Sequence, residues 1–201
     1  VKETLVIPLN NREAVEDVLI QHAHDIACII IEPIPANNGL LLQDTNFLQL
    51  LRQKCDEHNI LLIFDEVISG FRVGFEGAAG YYGIQPDIIT YGKIIGGGMP
   101  VGAYAASAKI MANITPEGPV YQAGTLSANP VAMAAGFAAT EQLLETGFYE
   151  GLSHFKNEQR LSAYISETGT IVIPPMYQYG RAFSSGLALV ADTTGQLLFI
   201  N

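Results

Sequence analysis

An acid and a lysine close two short apolar runs of this 201-residue chain. Asp65 follows Ile60–Phe64, and Lys93 follows Asp87–Tyr91 by one glycine. Runs this short and apolar, bounded by turn signals, read as buried strands. In open parallel sheets ligands lie in the crevice beyond the carboxyl ends of the strands. Asp65 and Lys93 are therefore expected to face one crevice from two sides. Gly96, Gly97 and Gly98 follow the lysine and keep the backbone slim there. Either residue alone would be unremarkable, since an aspartate after a strand often caps a helix and a lysine is usually solvated. What sets Lys93 apart is its place between an apolar strand and a glycine run.

This pair suits pyridoxal 5'-phosphate, which takes a lysine for a Schiff base and an acid facing its pyridine nitrogen. A carboxylate there favours the protonated ring, because opposite charges stabilise each other in a poorly solvated site. A lysine released from the link can move protons. Two rival readings fail. A phosphate loop needs a glycine five residues before its Gly-Lys pair and Ser or Thr after it; Asp87 and Ile94 stand at those places. Gly96 and Gly98 begin a dinucleotide fingerprint, but Val101 occupies its last glycine position.

DEVISGFR, PDIITYGKIIGGGMPVGA and GPVYQAGTLSANP together resemble the class III aminotransferase family of fold-type I enzymes. Within that family they are most similar to the glutamate-1-semialdehyde 2,1-aminomutase branch. Ile68 replaces the glutamine usual in the general family, FRV follows, and YQAGTLSANP has the aminomutase form, with Ala128 where a glycine is usual. The likeness is clear from about Ala27 to Leu144.

The resemblance implies a fold-type I large domain over residues 1–147, a mostly parallel sheet with helices on both faces. It implies the start of a small α+β domain over 148–201. It further implies an isomerase that makes 5-aminolevulinate, a tetrapyrrole precursor, using the cofactor and its aminated pyridoxamine form. Nitrogen is given to the aldehyde carbon and the neighbouring nitrogen is taken back, so no external donor is consumed. Lys93 would carry the Schiff base, Asp65 the ring nitrogen, and Val67 would pack on one ring face. Asn37 would contact the ring hydroxyl; its plain reading is a turn asparagine. Thr125, with Gly124 beside it, would reach the cofactor phosphate of the partner subunit in a homodimer; its plain reading is a local cap. Family members are longer at both ends, so the chain is expected to be an incomplete piece. The alternatives are an ω-aminotransferase of the same class and an inactive fragment serving as an interaction module.

The elements that must position these residues follow from periodicity. Asn10 to Asp25 reads as a helix with a capping-box start at Asn10 and Glu13, and Val15, Val18, Leu19 and His22 inward. Ile26 to Ile31 reads as a strand covered on both faces. Asp44 to His58 is an amphipathic helix with Phe47, Leu48, Leu51 and Cys55 inward, completing a parallel βαβ unit with the Asp65 strand. Phe71–Gly83 reads as loop with short helical turns, and Val101–Ser107 as a strand. Asn129-Pro130 opens a helix running to Glu145. Phe148 to Glu167 reads as a further helix. Strands are expected at Thr170–Ile173, Leu187–Ala191 and Leu197–Ile200.

Composition narrows the partners. A net charge of −10 argues against nucleic acid, and no apolar run approaches a membrane span. The mean hydropathy of +0.25 suits a globular core. His22 and His24, two residues apart, point to different sides of a helix and lack a supporting cluster, so no metal is expected. Cys28 and Cys55 read as core residues of a reducing compartment, and with no charged leader in view the expected location is the cytoplasm, or a plastid in a plant or alga.

Overall fold

A computed structural model of the protein describes residues 3–37, 39–146 and 148–149, and the backbone of five strands beyond them. The chain divides into two compact units, Val1–Leu144 and Glu145–Asn201.

The first unit is built on a four-stranded sheet in spatial order β1 (Cys28–Ile31), β2 (Leu61–Asp65), β3 (Ile88–Tyr91) and β4 (Ala103–Ala106). The first three strands are parallel and β4 runs antiparallel to β3. Side chains alternate across a strand, so Ile29, Ile31, Leu62 and Phe64 share one face. That face packs on α1 (Arg12–His22) through Val15 and Leu19, and on α2 (Thr45–His58) through Phe47, Leu48, Leu51 and Cys55. The amphipathic spacing of α2 is therefore the spacing of the core.

Polar anchors set the register. The Asp87 carboxylate accepts from the Leu62 amide at 2.8 Å and from Arg52 Nη1 at 2.8 Å, while the Asp87 amide donates to the Leu62 carbonyl at 2.8 Å. One side chain thus ties the start of β3 to β2 and, through Arg52, to α2. Asp87 precedes the strand rather than beginning it.

Two expectations are corrected here. Helix α1 is capped by Asn11, whose side chain accepts from the Ala14 amide at 3.0 Å. Asn10 instead adopts φ +60° and its Oδ1 accepts from the Asp44 amide. Strand β1 is not covered on both faces: Ile30 is 62% exposed and Cys28 is exposed. β1 lies at the sheet edge, and α1 and α2 cover only the face bearing Ile29 and Ile31. Cys55 is buried, as expected.

Further along, α3 (Gly77–Tyr82) lies within the glycine- and aromatic-rich loop, α4 (Ala108–Met111) follows β4, and α5 is Pro130–Leu143. Asn129 caps α5, its Oδ1 accepting from the Val131 and Ala132 amides at 3.1 and 3.2 Å, with Pro130 in the first turn.

In the second unit β5 (Ser162–Ile165) pairs antiparallel with β6 (Ile171–Tyr177). A separate sheet has the antiparallel order β7 (Tyr179–Gly180), β8 (Ala188–Ala191) and β9 (Leu197–Ile200). The three expected strands are present. The helix expected over Phe148–Glu167 is overturned at 162–165, which are strand; residues 150–161 lie outside the described residues. A spaced set of apolar residues mimicked a helix period where non-local pairing decides the backbone.

Candidate active site

The acid sits where β2 ends. Asp65 is partly exposed on the sheet face opposite α1 and α2, and is the register partner of Thr90 on β3. Its Oδ1 accepts from the Val67 amide at 3.1 Å and from the Thr90 hydroxyl at 3.1 Å. The two strands are joined again just beyond, where the Glu66 amide donates to the Thr90 carbonyl at 3.0 Å. Both side-chain bonds fall on one oxygen, and among the described residues Oδ2 takes none. The neighbouring Glu66 points the other way and is wholly buried. Its carboxylate accepts from the Ala78 amide at 2.6 Å, the Ala79 amide at 2.9 Å and the Ser69 hydroxyl at 3.1 Å.

The lysine sits where β3 ends. Lys93 opens a short 3-10 turn, Lys93–Gly96, and has φ +45°. A left-handed non-glycine residue is sparsely populated and persists only where its surroundings hold it. The hold comes from α5. A Cβ at Gly97 would strike the Ala135 carbonyl, and one at Gly136 would strike the Ile95 carbonyl. Helix and turn therefore meet backbone to backbone. Gly97 has φ +55° as well. The Lys93 side chain is exposed.

Val67 links the two strand ends. A Cβ on Gly92 would lie 3.1 Å from Val67 Cγ1, so Val67 packs on the glycine immediately before Lys93. The sheet thus places an acid, an aliphatic side chain and a lysine at the carboxyl ends of two adjacent parallel strands. Asn37 is exposed in the loop after β1, the third parallel strand end. Gly124 is exposed beside an exposed turn at 125–128 that begins with Thr125, and its α-carbon faces Ser127 Oγ closely enough that a Cβ would lie 2.7 Å away. Ala128 in that turn has φ +56°.

The aminotransferase class-III family model matches residues 3–169. The chain belongs to the class III aminotransferases. It is 54% identical over 157 residues to a glutamate-1-semialdehyde 2,1-aminomutase of Legionella pneumophila, a match that takes in 78% of this chain and 37% of that protein. The chain thus spans little more than a third of that relative's length. An ω-transaminase from Sphaerobacter thermophilus superposes with TM-score 0.68 at 32% identity, covering 92% of this chain and 42% of that one. A transaminase with PLP bound superposes with TM-score 0.68 at 32% identity, covering 94% and 43%. The mixed α/β sheet with its helices is the fold-type I transaminase architecture. A second model, described as WG containing repeat, matches residues 163–191.

Within this class III aminotransferase, reading along the sequence singled out Asp65, Lys93 and Val67, and the sheet brings them to neighbouring strand ends. It passed over Thr90 and Glu66. Thr90 could have been found by aligning β2 with β3, since Asp65 and Thr90 are the first polar residues after the apolar stretches Leu61–Phe64 and Ile88–Ile89. For Glu66 the only signal is a second acid directly after Asp65, ahead of the apolar Val67 and Ile68 and followed by Gly70 and Gly77. The backbone oxygen of Glu66 stands 2.7 Å from where a Cβ on Gly70 would be, and its Oε2 meets one on Gly77. No group of His, Cys, Asp or Glu that could hold a metal occurs among the described residues, and no helix there is long and apolar enough to cross a membrane.

Proposed function

We propose that this chain is the cofactor-holding core of a pyridoxal-phosphate-dependent glutamate-1-semialdehyde 2,1-aminomutase, an isomerase forming 5-aminolevulinate. The observation that carries the reading is the pairing of Asp65 and Lys93 at the ends of adjacent parallel strands, in a chain 54% identical to a protein of that name. The residues fit the cofactor chemically. Asp65 offers an acceptor oxygen that takes no hydrogen bond among the described residues, Lys93 an exposed amine, and Gly92 the narrow floor that a Cβ would fill against Val67.

Pyridoxal phosphate supplies an electron-withdrawing ring that stabilises charge developing at the substrate carbon. The chain's own residues do the rest. Asp65 holds a proton at the ring nitrogen, because its carboxylate favours the charged ring. Lys93 Nζ would be the covalent attachment point, and when free its amine would accept and return protons. Val67 packs on one ring face and Asn37 binds the ring hydroxyl. Thr125, next to Gly124, serves the phosphate of the partner in a homodimer. A twofold assembly places each such residue at both sites, and a phosphate accepts readily from a neutral hydroxyl. The second unit is the beginning of the small domain. Support comes from similarity to the ω-transaminase over 92% of this chain, more than the first unit alone supplies. A cytoplasmic or plastid setting accords with two free thiols.

The aminomutase is preferred to an ω-aminotransferase because Ile68 replaces the usual glutamine and because the aminomutase relative is 54% identical against 32% for the ω-transaminase. Turnover of the semialdehyde without an amino donor tests this directly. Borohydride reduction of the longest polypeptide carrying this sequence, followed by peptide mapping, should place the label on Lys93. A label on Lys109, or no visible absorbance from bound cofactor, would overturn the reading, and the latter would favour an interaction module.

A further inference from the structure

We infer that Thr90 is the positioning residue for Asp65, fixing the carboxylate so that Oδ2 is presented to the cofactor's ring nitrogen. The inference rests on the pyridoxal-phosphate reading above and goes beyond it to a residue on the neighbouring strand. An aspartate carboxylate turns about a broad, roughly twofold torsion, so its backbone alone does not set its plane. The Val67 amide gives Oδ1 one donor, from two residues along the same chain. A single bond from so near leaves the plane free to swing. The Thr90 hydroxyl gives Oδ1 a second donor from across the sheet, also at 3.1 Å. Two donors from different directions hold Oδ1 and thereby aim Oδ2.

The placement of Thr90 is itself over-determined. It is the register partner of Asp65, so both side chains leave the same face. Its carbonyl accepts from the Glu66 amide at 3.0 Å, which locks its backbone to the end of β2. Its branched Cβ restricts χ1. An ionised carboxylate only accepts, so the hydroxyl must donate to it and points its lone pairs elsewhere. A carboxylate that swings out of aim would pair less closely with the ring nitrogen, and the proton there would be held less firmly.

Two near-isosteric variants separate positioning from packing. Thr90→Val keeps the branched shape and removes the hydroxyl; Thr90→Ser keeps the hydroxyl and removes the methyl. If Thr90 only fills the strand, Val resembles the parent and Ser is the poorer. If it positions Asp65, the order reverses. In the holoenzyme carrying this chain, Thr90→Val should release pyridoxal phosphate about tenfold faster or more, the scale of a hydrogen bond to a charged group. The 15N resonance of labelled ring nitrogen should move toward that of a neutral pyridine. Thr90→Ser should stay within about threefold of the parent in release and keep its 15N position, because the charged-group bond persists. Melting of each variant reports on folding separately. Parental release and parental 15N shift in Thr90→Val would overturn the inference, as would Ser failing as badly as Val. Asp65→Asn guards the underlying reading. If it moves both signals and Thr90→Val moves neither, only the role of Thr90 falls. If Asp65→Asn moves neither, the acid assignment falls with it.

Discussion

Replacing Glu66 by glutamine removes one charge and almost no volume, yet it should destabilise the protein by about 2–3 kcal/mol. The carboxylate is wholly buried and serves three donors, Ala78 N–H and Ser69 O–H on Oε2 and Ala79 N–H on Oε1. Glutamine offers one acceptor oxygen and one NH2. With the oxygen in the Oε2 position, Ala78 stays bonded and the Ser69 hydroxyl can turn to suit, but the NH2 then confronts the Ala79 amide. An orphaned partly buried amide costs about 1–3 kcal/mol, and the surviving bond to Ala78 loses its charge assistance, roughly another 1 kcal/mol. Relief from burying a charge offsets part of that sum. For a urea slope of about 2 kcal/mol/M, typical of small proteins, the unfolding midpoint should fall by about 1 M at unchanged slope. Glu66→Ala should be worse, since it orphans all three donors and leaves a void. A midpoint shift below about 0.3 M in Glu66→Gln, or an alanine variant no worse than the glutamine one, would refute this account of the β2–α3 connection.

Other outcomes follow from single contacts. Gly70→Ala should cost about 1–3 kcal/mol in a urea melt, because the added Cβ would lie 2.7 Å from the Glu66 carbonyl oxygen and 2.8 Å from the Tyr91 ring. Ala128→Gly should stabilise by about 0.5–1 kcal/mol, read as a rise in the urea midpoint; an L residue at φ +56° is strained and glycine is not. In the folded protein one thiol, Cys28, should react with a disulfide reagent, and Cys55 should react only on unfolding; equal rates would contradict the burial. Burial lifts the Cys55 thiol from 9.0 to about 11. A folded-state value above the unfolded one means the contribution of this thiol to stability is whole below pH 9.0 and is lost as pH climbs toward 11, which the pH dependence of unfolding in Cys55→Ala against the parent should show.

What was legible in the sequence was local. Phe47, Leu48, Leu51 and Cys55 repeat at helical spacing, and they line the core. Asp65 and Lys93 stood out because an apolar run stops at each, and a strand's end is also a crevice's edge. What was illegible was set elsewhere in the chain. An apolar run says that a strand wants cover, not whether a neighbour supplies it, so Cys28 and Ile30 were expected inside and lie outside. Asn10 and Asn11 are chemically equivalent caps, and only the chain's path to Asp44 chooses between them. Ser162–Ile165 takes its conformation from pairing with β6, which no helical count within 148–167 could reveal. The bond from Thr90 to Asp65 spans 25 residues and exists only through register.

The two ends of the site are held by different means, and that separation has a consequence. The acid is aimed by hydrogen bonds: Val67 and Thr90 on its carboxylate, with Glu66 fastening the next residue to α3. The lysine is aimed by sterics, since α5 presses its backbone at Ala135 and Gly136 against the turn that follows Lys93 and keeps that residue at φ +45°. Hydrogen bonds can be deleted singly with small movement, whereas a backbone-to-backbone contact tolerates no added methylene. Substitutions at Thr90 should therefore alter the electronic setting of the acid while the lysine keeps its place. Substitution of Gly136 should displace the lysine turn while the hydrogen bonds on Asp65 survive. Sites without shared partners add within about 0.3–0.5 kcal/mol, so the stability losses of Thr90→Val and Gly136→Ala should sum in the double variant. A larger coupling would mean that Val67, packed on Gly92 between the two ends, transmits strain from one to the other.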